Sequence, residues 1–258
     1  MPVFGDYSDY YDLLYNEKDY RGEVEYVESL IEHYHPTNNK TLLDLGSGTG
    51  NHCRFFQEKG YQITGVDLSG KMLKIAKEKQ EELMRENPDL SPIDYVKANI
   101  CDLRLGQRYD LVTSLFHIIN YQVTNNDLDA YLETVAIHLN ENGIAIIDFW
   151  YGPAVISDMP KVAVKRVEDE NVQLTRITEP KMDANSNTVD VNFELIVQPM
   201  ATNEVKVLKE KHVMRYSFIP ELTFLVEKHG LTILDTFKWM TQDPLDFTSW
   251  NGVMIVKK

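Results

Sequence analysis

The sequence predicts an α/β protein in which a mainly parallel sheet is interrupted by an antiparallel β insertion. Three observations lead to this prediction. Apolar strands alternate with helices over the first 150 residues, which is typical of βαβ units. Those strands are bounded by Gly and Asp, as expected of a sheet covered by helices on both faces. Residues 162–216 instead alternate apolar and polar side chains, which is typical of an antiparallel sheet with one wet face.

Each element follows from a local pattern. Apolar residues at helical spacing predict helices at 21–33, 51–59, 71–85, 127–139 and 220–229. Gly60 is a stop signal for the second of them, and Ser69 is an N-cap for the third. Short apolar runs predict strands at 41–45, 61–66, 93–97, 109–115, 144–150, 232–237 and 253–256, and alternating runs predict insertion strands that include 162–167 and 189–195. We therefore expect a helix and cofactor-binding core over 1–150, the insertion over 151–217, and a last helix with two core strands over 218–258.

The acidic composition disfavours several classes of partner. The 258 residues include 26 Lys+Arg against 40 Asp+Glu, a formal charge of −14. Binding to nucleic acid needs clustered basic residues, so we expect no such partner. No apolar run is long enough to span a bilayer, and residues 1–15 carry Asp without a basic region, which is not typical of a signal peptide. Cys53 and Cys101 lack disulfide or metal-ligand spacing, so we expect a cytoplasmic protein without a metal site.

A glycine-rich turn, Leu43-Asp44-Leu45-Gly46-Ser47-Gly48-Thr49-Gly50-Asn51, follows the first strand. Such a turn lets the backbone approach a nucleotide-like ligand at the start of the next helix. A dinucleotide fingerprint requires Gly or Ala where this chain has Asn51, which argues against a nucleotide-dependent oxidoreductase. Asp44 would repel pyrophosphate but can accept from a cationic amine, and Asp67 ends the second strand, where it can accept from both hydroxyls of a ribose. A ribose nucleoside carrying an amino acid is S-adenosylmethionine, the predicted cofactor.

The same residues resemble a known family. Residues 44–50 with Asp67 are similar to motifs one and two of the class I S-adenosylmethionine-dependent methyltransferases, which implies their Rossmann-like seven-stranded sheet. The match extends to the amino-sugar N-methyltransferases of deoxysugar biosynthesis over Tyr11-Asp12-Leu13-Leu14-Tyr15, Lys18-Asp19-Tyr20, Gly50-Asn51-His52-Cys53-Arg54, Asp67-Leu68-Ser69-Gly70-Lys71-Met72 and Asp148-Phe149-Trp150-Tyr151. Residues 212–219 resemble the final strand of that group's insertion. The resemblance spans almost the whole chain, although glycine-type N-methyltransferases share several of the same motifs. The resemblance implies an active site capped by the insertion and a nucleotide-linked sugar as the substrate.

The resemblance also implies cofactor-binding residues. They lie in the N-terminal segment, the glycine turn and the ends of three strands: Tyr11, Tyr20, Asp44, Gly46, Gly48, Asp67, Leu68, Met72, Asn99, Ile100 and Leu115. The family usually has an Asp where this chain has Asn99, whose side-chain oxygen can still accept a hydrogen bond from the adenine amino group. For Tyr11 and Tyr20, packing against the N-terminal helix is an equal alternative.

Catalytic residues are fewer, because transfer from a sulfonium needs mainly positioning and desolvation. His117, which follows the fourth strand, is the candidate base, and packing or substrate contact is the alternative. Tyr121 is a second candidate, since the resembling enzymes often have a histidine there. The predicted substrate wall consists of Trp150, Tyr151, Arg215 and Tyr216, with Arg215 expected to pair with a nucleotide diphosphate. Core or rim packing is the alternative for the three aromatic residues.

The sequence thus predicts an S-adenosylmethionine-dependent methyltransferase that acts on a small molecule, on the amino or hydroxy group of a nucleotide-linked sugar. N-methylation of an amino acid or another small amine is one alternative. A non-catalytic protein that retains the cofactor fold is another. The acceptor atom, the number of methyls transferred and the formation of a homodimer are left open by the sequence.

Overall fold

The computed structural model describes residues 5–35, 40–202 and 204–258. Residues 1–4, part of the segment used above to argue against a signal peptide, lie outside these ranges. The main-sheet strands are β1 (Thr41–Leu45), β2 (Gln62–Asp67), β3 (Asp94–Lys97), β4 (Tyr109–Ser114), β5 (Leu139–Trp150), β10 (Thr232–Lys238) and β11 (Asn251–Lys257), and the insertion strands are β6 (Ala163–Glu168), β7 (Val172–Asp183), β8 (Thr188–Pro199) and β9 (Lys206–Arg215). The helices are α1 (Tyr11–Leu14), α2 (Tyr20–Tyr34), α3 (Asn51–Glu58), α4 (Gly70–Glu86), α5 (Asn125–His138), α6 (Gly152–Ser157) and α7 (Ile219–Lys228), with 3-10 helices at Asp6–Tyr10 and Ile118–Tyr121.

The seven main-sheet strands lie in the order β10-β11-β5-β4-β1-β2-β3. Strands β1 to β5 pair in parallel, and β11 runs antiparallel between β5 and β10. The chain builds outward from β1 through β2 to β3 and then crosses to β4 on the other side of β1. Ligands of open α/β sheets bind at the carboxyl ends of the strands where the order reverses in this way. The Rossmann-like seven-stranded α/β fold predicted from the sequence is therefore confirmed, and the switch point lies between β1 and β4.

Helices cover both faces of this sheet. One face carries α5 and α7, whose buried Leu128, Leu132 and Leu222 pack with Val112. The other carries α2 and α3, whose Val27 and Phe56 pack with the strands. The helix starts are fixed by side chains: the hydroxyl of Ser69 accepts from Met72 N (3.3 Å), as its predicted N-cap role requires.

The four-stranded antiparallel sheet β6-β7-β8-β9, which we call the cap, stands over the carboxyl edge of the main sheet. Buried Leu174, Leu195 and Val197 of the cap pack against Tyr7 and Leu14 of the N-terminal segment. The chain leaves and re-enters the core at one place, because Tyr151 pairs with Ser217 in an isolated bridge. We propose these two residues as the ends of the insertion.

Several elements differ from the prediction. β5 begins at Leu139 and not at 144, because a register shift near Asn142, which has a left-handed φ of 67°, separates its polar start from its apolar end. The last cap strand ends at Arg215 and not at Ile219, since the chain there turns into α7. The short helices α1 and α6 have no clear sequence signal. Within the described ranges, no helix is long and apolar enough to cross a membrane.

Candidate active site

A cavity of about 360 Å³ lies between the carboxyl edge of the main sheet, the N-terminal segment and the inner face of the cap. Its floor includes the glycine turn after β1 and Asp67 at the end of β2. Its roof includes Val191 and Phe193 of β8 and Met214 of β9. The cavity therefore joins the nucleotide-binding edge of the fold to the cap.

The glycine turn adopts backbone conformations that require glycine. Gly46, Gly48 and Gly50 have φ values of 85°, 54° and 78°. A Cβ on Gly46 would lie 2.4 Å from Ile118, whereas a Cβ on Gly48, which borders the cavity, would meet no atom within 4 Å. The turn is fixed to β2 because the Val66 carbonyl accepts from Gly46 N (2.8 Å) and Ser47 N (2.9 Å). Gly48 thus leaves open space where a ligand can approach the backbone.

Asp67 presents an oriented carboxylate to this space. Its Oδ2 accepts from Gly48 N (2.9 Å) and its Oδ1 accepts from Ser69 N (2.7 Å). Burial raises the pKa of Asp67, and the backbone N–H groups of Ser69 and Gly48 oppose that rise. A carboxylate has about four acceptor sites, so both oxygens keep capacity for further donors. This geometry suits a diol such as that of a ribose.

Asp44 does not line the cavity, in contrast to its predicted contact with a cationic amine. It is 3% exposed beneath the turn, where its Oδ1 accepts from Thr113 Oγ1 (2.7 Å) and its Oδ2 accepts from Cys53 Sγ (3.2 Å). Burial raises the pKa of Asp44. The side chain thus ties β1 to β4 and α3, and its effect on a ligand is to support the turn.

The residues expected around an adenine ring divide into two groups. Met72 and Leu115 line the cavity. Leu68, Asn99 and Ile100 lie outside its lining: Leu68 is 68% exposed beside Asp67, and Asn99 is exposed with its Oδ1 accepting from Cys101 N (3.1 Å). The adenine contacts of these three residues stay predictions.

Tyrosines of the N-terminal segment close one side of the cavity. Tyr11 and Tyr20 line it, as do Tyr7 and Tyr15, which sequence reasoning did not assign to the site. The Tyr11 and Tyr15 rings lie 4.8 Å apart, and Tyr15 meets Phe116 edge-on at 5.1 Å. Burial raises the pKa of Tyr20 to about 12, so its hydroxyl stays protonated at neutral pH. The segment therefore supplies an aromatic wall with neutral hydroxyl groups.

His117 lines the cavity at a strained backbone position. Phe116 and His117 have φ values of 67° and 65°, in the left-handed region that non-glycine residues adopt uncommonly. The conformation is supported by Asp148, a buried residue of β5 whose Oδ1 accepts from His117 N (2.9 Å). Asp148 Oδ2 also lies 3.0 Å from His117 Nδ1, off the line of a hydrogen bond. Asp148 belongs to the resembling motif Asp148-Phe149-Trp150-Tyr151 but was not assigned to the site, although an Asp inside an apolar strand was the available signal.

Tyr121, the second catalytic candidate, also lines the cavity and contacts the cap. Its hydroxyl lies 2.8 Å from Nδ1 of His212 on β9. His212 is 2% exposed and was not assigned to the site from the sequence. Its alternating strand pattern contained no sign that a distant Tyr would meet it.

Arg215 lies outside the lining of the cavity, so the geometry does not support its predicted contact with a diphosphate. On β9 the side chains of His212 and Met214 line the cavity, and Arg215 projects to the opposite face of the strand. There it forms an ion pair with Glu221 and donates to Asn125 Oδ1 (2.7 Å). Arg215 therefore links the cap to the first residue of α5 and to α7.

The three aromatic residues of the predicted substrate wall also separate. Trp150 lines the cavity. Tyr151 lies outside its lining and packs against the core of the main sheet, so the geometry does not support its predicted wall position. Tyr216 is fully buried at the base of the cap, 6.0 Å from the Phe218 ring, and its predicted wall position is unsupported for the same reason.

Arg176 of β7 lies outside the cavity lining but contacts two of the tyrosines that form it. It donates to the hydroxyls of Tyr7 (3.0 Å) and Tyr15 (2.9 Å), and its guanidinium lies 5.1 Å from the Phe193 ring. Its Nε is buried without a hydrogen-bond partner. Within the described ranges, no carboxylate lies within ion-pair distance of Arg176. No sequence pattern indicates this role, because a single Arg in an alternating strand is ordinary.

These features fit S-adenosylmethionine. The Gly48 turn leaves room against the backbone, Asp67 offers a diol acceptor, and the buried Ser47 hydroxyl, which borders the cavity, has no partner in the structure. Among the residues described, no three His, Cys, Asp or Glu side chains lie together as metal ligands would.

Comparisons with known proteins agree with this geometry. Residues 42–143 match the methyltransferase domain family. A curated relative, the dTDP-3-amino-3,6-dideoxy-alpha-D-glucopyranose N,N-dimethyltransferase of Streptomyces fradiae, is 27% identical over 191 residues, which cover 73% of this chain and 70% of the relative. The dTDP-3-amino-3,4,6-trideoxy-alpha-D-glucopyranose N,N-dimethyltransferase of Streptomyces venezuelae is 27% identical over 190 residues, covering 73% of this chain and 75% of the relative.

Solved structures show the same fold over the full chain. An S-adenosylmethionine-dependent methyltransferase from Clostridium acetobutylicum superposes with a TM-score of 0.80 at 22% identity, covering 99% of both chains. Streptomyces venezuelae DesVI superposes with a TM-score of 0.76 at 22% identity, covering 98% of both. Residues 42–143 thus match a methyltransferase domain, and the whole chain shares the fold of solved S-adenosylmethionine-dependent methyltransferases. Within that class, its sequence resembles the amino-sugar N,N-dimethyltransferases.

Proposed function

We propose that this enzyme methylates the amino group of a nucleotide-linked sugar. The observation that carries the proposal is Arg176, a half-buried guanidinium beside the cavity whose partners are two tyrosine hydroxyls. The curated relatives named above act on dTDP-linked amino sugars. A nucleotide-linked sugar combines an amine with a diphosphate, so it matches both the chemistry of those relatives and the charge of Arg176.

Burying the guanidinium of Arg176 costs free energy. A partly buried guanidinium without a carboxylate loses hydration that hydroxyl groups replace only in part. Arginine binds phosphate with paired, charge-assisted hydrogen bonds. The protein carries a formal charge of −14, so the enzyme needs a local cation to hold an anionic substrate. Lys18, which also lies near the tyrosines, is already paired with Glu23 and leaves this task to Arg176.

Residues around the cavity would bind the cofactor, enclose the reacting atoms and contact the substrate. Asp67 and the Gly48 turn would hold the cofactor, whose sulfonium supplies an activated methyl group when bound. The tyrosine wall and the cap exclude water from the cavity. Trp150 and His117 border the region under the cap, where a sugar ring would contact them. The predicted role of His117 as a base remains a prediction, and its support is the neighbouring carboxylate of Asp148.

A substrate panel tests the proposal. Release of S-adenosylhomocysteine is measured with nucleotide-linked amino sugars, their hydroxyl counterparts, free amino sugars, amino acids and small amines. We expect turnover with the nucleotide-linked amines and less than a tenth of it with the other classes. Turnover confined to amino acids or small amines would replace the proposal by N-methylation of those compounds, and the carboxylate of an amino acid could also use Arg176.

The Arg176→Ala variant tests the charge argument. One charge-assisted hydrogen bond contributes about 1.5–3 kcal/mol of binding free energy. Removing the Arg176 guanidinium should therefore raise KM for the nucleotide-linked sugar about 10- to 100-fold. The affinity for S-adenosylhomocysteine should stay within threefold of wild type by calorimetry. Arg166→Ala, on an exposed neighbouring cap position, is the matched control and should leave KM unchanged. An equal effect of the two substitutions would remove Arg176 from substrate binding.

A further inference from the structure

The inner face of the cap contains a buried ionisable pair that the proposed binding roles do not use. On β9, Glu210 and His212 project towards the N-terminal segment and the cavity, and they pair in register with the apolar Phe193 and Val191 of β8. Their side chains are 11% and 2% exposed. Burying a carboxylate and an imidazole on an apolar face costs free energy unless each has partners. Their position against the cavity points to a functional role.

The pair forms a hydrogen-bonded chain that ends at Tyr121. His212 Nε2 lies 3.1 Å from Glu210 Oε2, and His212 Nδ1 lies 2.8 Å from the Tyr121 hydroxyl. Glu210 Oε1 accepts from Gly5 N at 2.9 Å, which fixes the carboxylate from the N-terminal side. A carboxylate can only accept, so the neutral imidazole carries its proton on Nε2 and presents a lone pair at Nδ1. The Tyr121 hydroxyl then donates to His212, and Tyr121 also lines the cavity.

We propose that Tyr121, His212 and Glu210 form a proton relay that deprotonates the substrate's ammonium group before methyl transfer. The substrate N–H bond breaks as its proton binds the Tyr121 oxygen, and the phenolic proton passes to His212 Nδ1. The imidazolium that forms is stabilised by the Glu210 carboxylate, and the amine is left with the lone pair that attacks the methyl group. The relay rests on the amine acceptor of the proposed function, because a neutral amine is the only nucleophile it must generate.

The surroundings favour a relay through neutral Tyr121 over a lasting phenolate. Burial raises the pKa of Tyr121 well above its ordinary value, and Tyr15, Tyr7, Glu210 and Asp67 raise it further. Tyr11 of the N-terminal segment also faces Tyr121. His212 is faced by Glu210 on its own strand, by the Tyr7 ring at 6.1 Å and by Phe193 of β8 at 5.0 Å. Arg176 is the described cation that contacts Tyr7 and Tyr15, and it donates to their hydroxyls and not to His212.

His117 is the competing base, and its geometry differs. Its Nδ1 lies 3.0 Å from Asp148 Oδ2 but off the line of a hydrogen bond, and its backbone N–H is what Asp148 binds in line. His212 instead has an aligned hydrogen bond at each ring nitrogen. The two candidates can be separated by substitution.

The test compares Tyr121→Phe, His212→Asn and Glu210→Gln with wild type over pH 6 to 10. Asn at 212 can still accept from Tyr121 but cannot take up a proton. A base contributes about 10²- to 10⁴-fold, so kcat/KM on the nucleotide-linked amino sugar should fall about 10²-fold or more at neutral pH in the first two variants. Their rates should then rise with pH towards wild type, as free amine becomes available in solution. Glu210→Gln should show a smaller loss with the same recovery, and Tyr216→Phe, which removes a buried hydroxyl outside the cavity, is the matched control.

Calorimetry and NMR make the outcome independent of turnover. The affinity of each variant for S-adenosylhomocysteine should equal that of wild type, and ¹⁵N-histidine spectra should show His212 protonated at Nε2 with a shift change at Nδ1 in Tyr121→Phe only. A loss of activity that is equal at all pH values, a wild-type pH profile in Tyr121→Phe and His212→Asn, or a His212 proton on Nδ1 would overturn the relay. Absence of turnover by wild type on every amine would instead refute the proposed function, and the NMR result would still decide the hydrogen-bond direction on which the relay depends.

Discussion

Replacing Asp67 with Ala should remove most of the affinity for the cofactor. The carboxylate is held by Gly48 N (2.9 Å) and Ser69 N (2.7 Å) at the cavity floor, with capacity left on both oxygens. If each ribose hydroxyl donates to it, each bond to the charged group contributes about 1.5–3 kcal/mol. The lower limit for two bonds is about 3 kcal/mol, which corresponds to a rise in Kd of about 10²-fold.

The assay is isothermal titration calorimetry with S-adenosylhomocysteine. Asp67→Asn separates the charge from the volume, because the amide retains one acceptor oxygen and should lose less affinity than Ala. Asp94→Ala, at an exposed position on β3, is the control for removing a carboxylate and should bind as wild type does. Thermal unfolding of each variant shows whether the loss is local. A folded Asp67→Ala protein whose Kd lies within threefold of wild type would refute the pocket described above.

Three further predictions concern the turn, the cap and acid stability. Gly48→Ala should fold but bind S-adenosylhomocysteine at least tenfold more weakly, because its Cβ enters the space kept for the ligand. Gly46→Ala should instead lower the melting temperature, because its Cβ clashes with Ile118. Calorimetry and thermal unfolding measure the two effects, and equal behaviour of the two variants would contradict the assignment. Arg215→Ala should destabilise the protein by about 3 kcal/mol in urea unfolding, because it leaves the Glu221 carboxylate without its ion-pair partner. KM should change little, and a selective rise in KM would instead support the predicted contact of Arg215 with substrate. Burial alone would raise the pKa of Glu23, but its hydrogen bond to His52 and nearby positive charge lower the pKa to about 2. The stabilisation that Glu23 contributes is therefore present above pH 4.5 and is lost as the pH falls towards 2. Glu23→Gln should reduce this loss of unfolding free energy between pH 4.5 and 2 by about 1–3 kcal/mol in urea unfolding, and an unchanged pH dependence would contradict this assignment.

The sequence predicted the fold well because its signals are local. Apolar runs bounded by Gly and Asp define the parallel strands, and the change to two-residue alternation after Trp150 defines the cap. The glycine turn and Asp67 are also adjacent to strand ends, so their meeting at one sheet edge follows from topology. The start of β5 was missed because the bulge near Asn142 interrupts the apolar pattern.

The site was harder to predict where it depends on contacts across the fold. Arg176, Asp148 and His212 acquire roles only through the register of the cap over the sheet and through side chains far away in the sequence. Which face of β9 Arg215 occupies could not be predicted, since neighbouring residues of a strand face opposite sides and the register of β9 was unknown. His212, three residues earlier, lies on the face that meets Tyr121.

In the proposed reaction, the enzyme transfers a methyl group from S-adenosylmethionine to the amine of a nucleotide-linked sugar. Its most direct test is mass spectrometry of the sugar product after incubation with isotopically labelled S-adenosylmethionine, using an amino sugar and its hydroxyl counterpart linked to the same nucleotide. The account predicts label on the nitrogen of the amino sugar and none on the hydroxyl counterpart. Label on both compounds alike, or on neither, would contradict it.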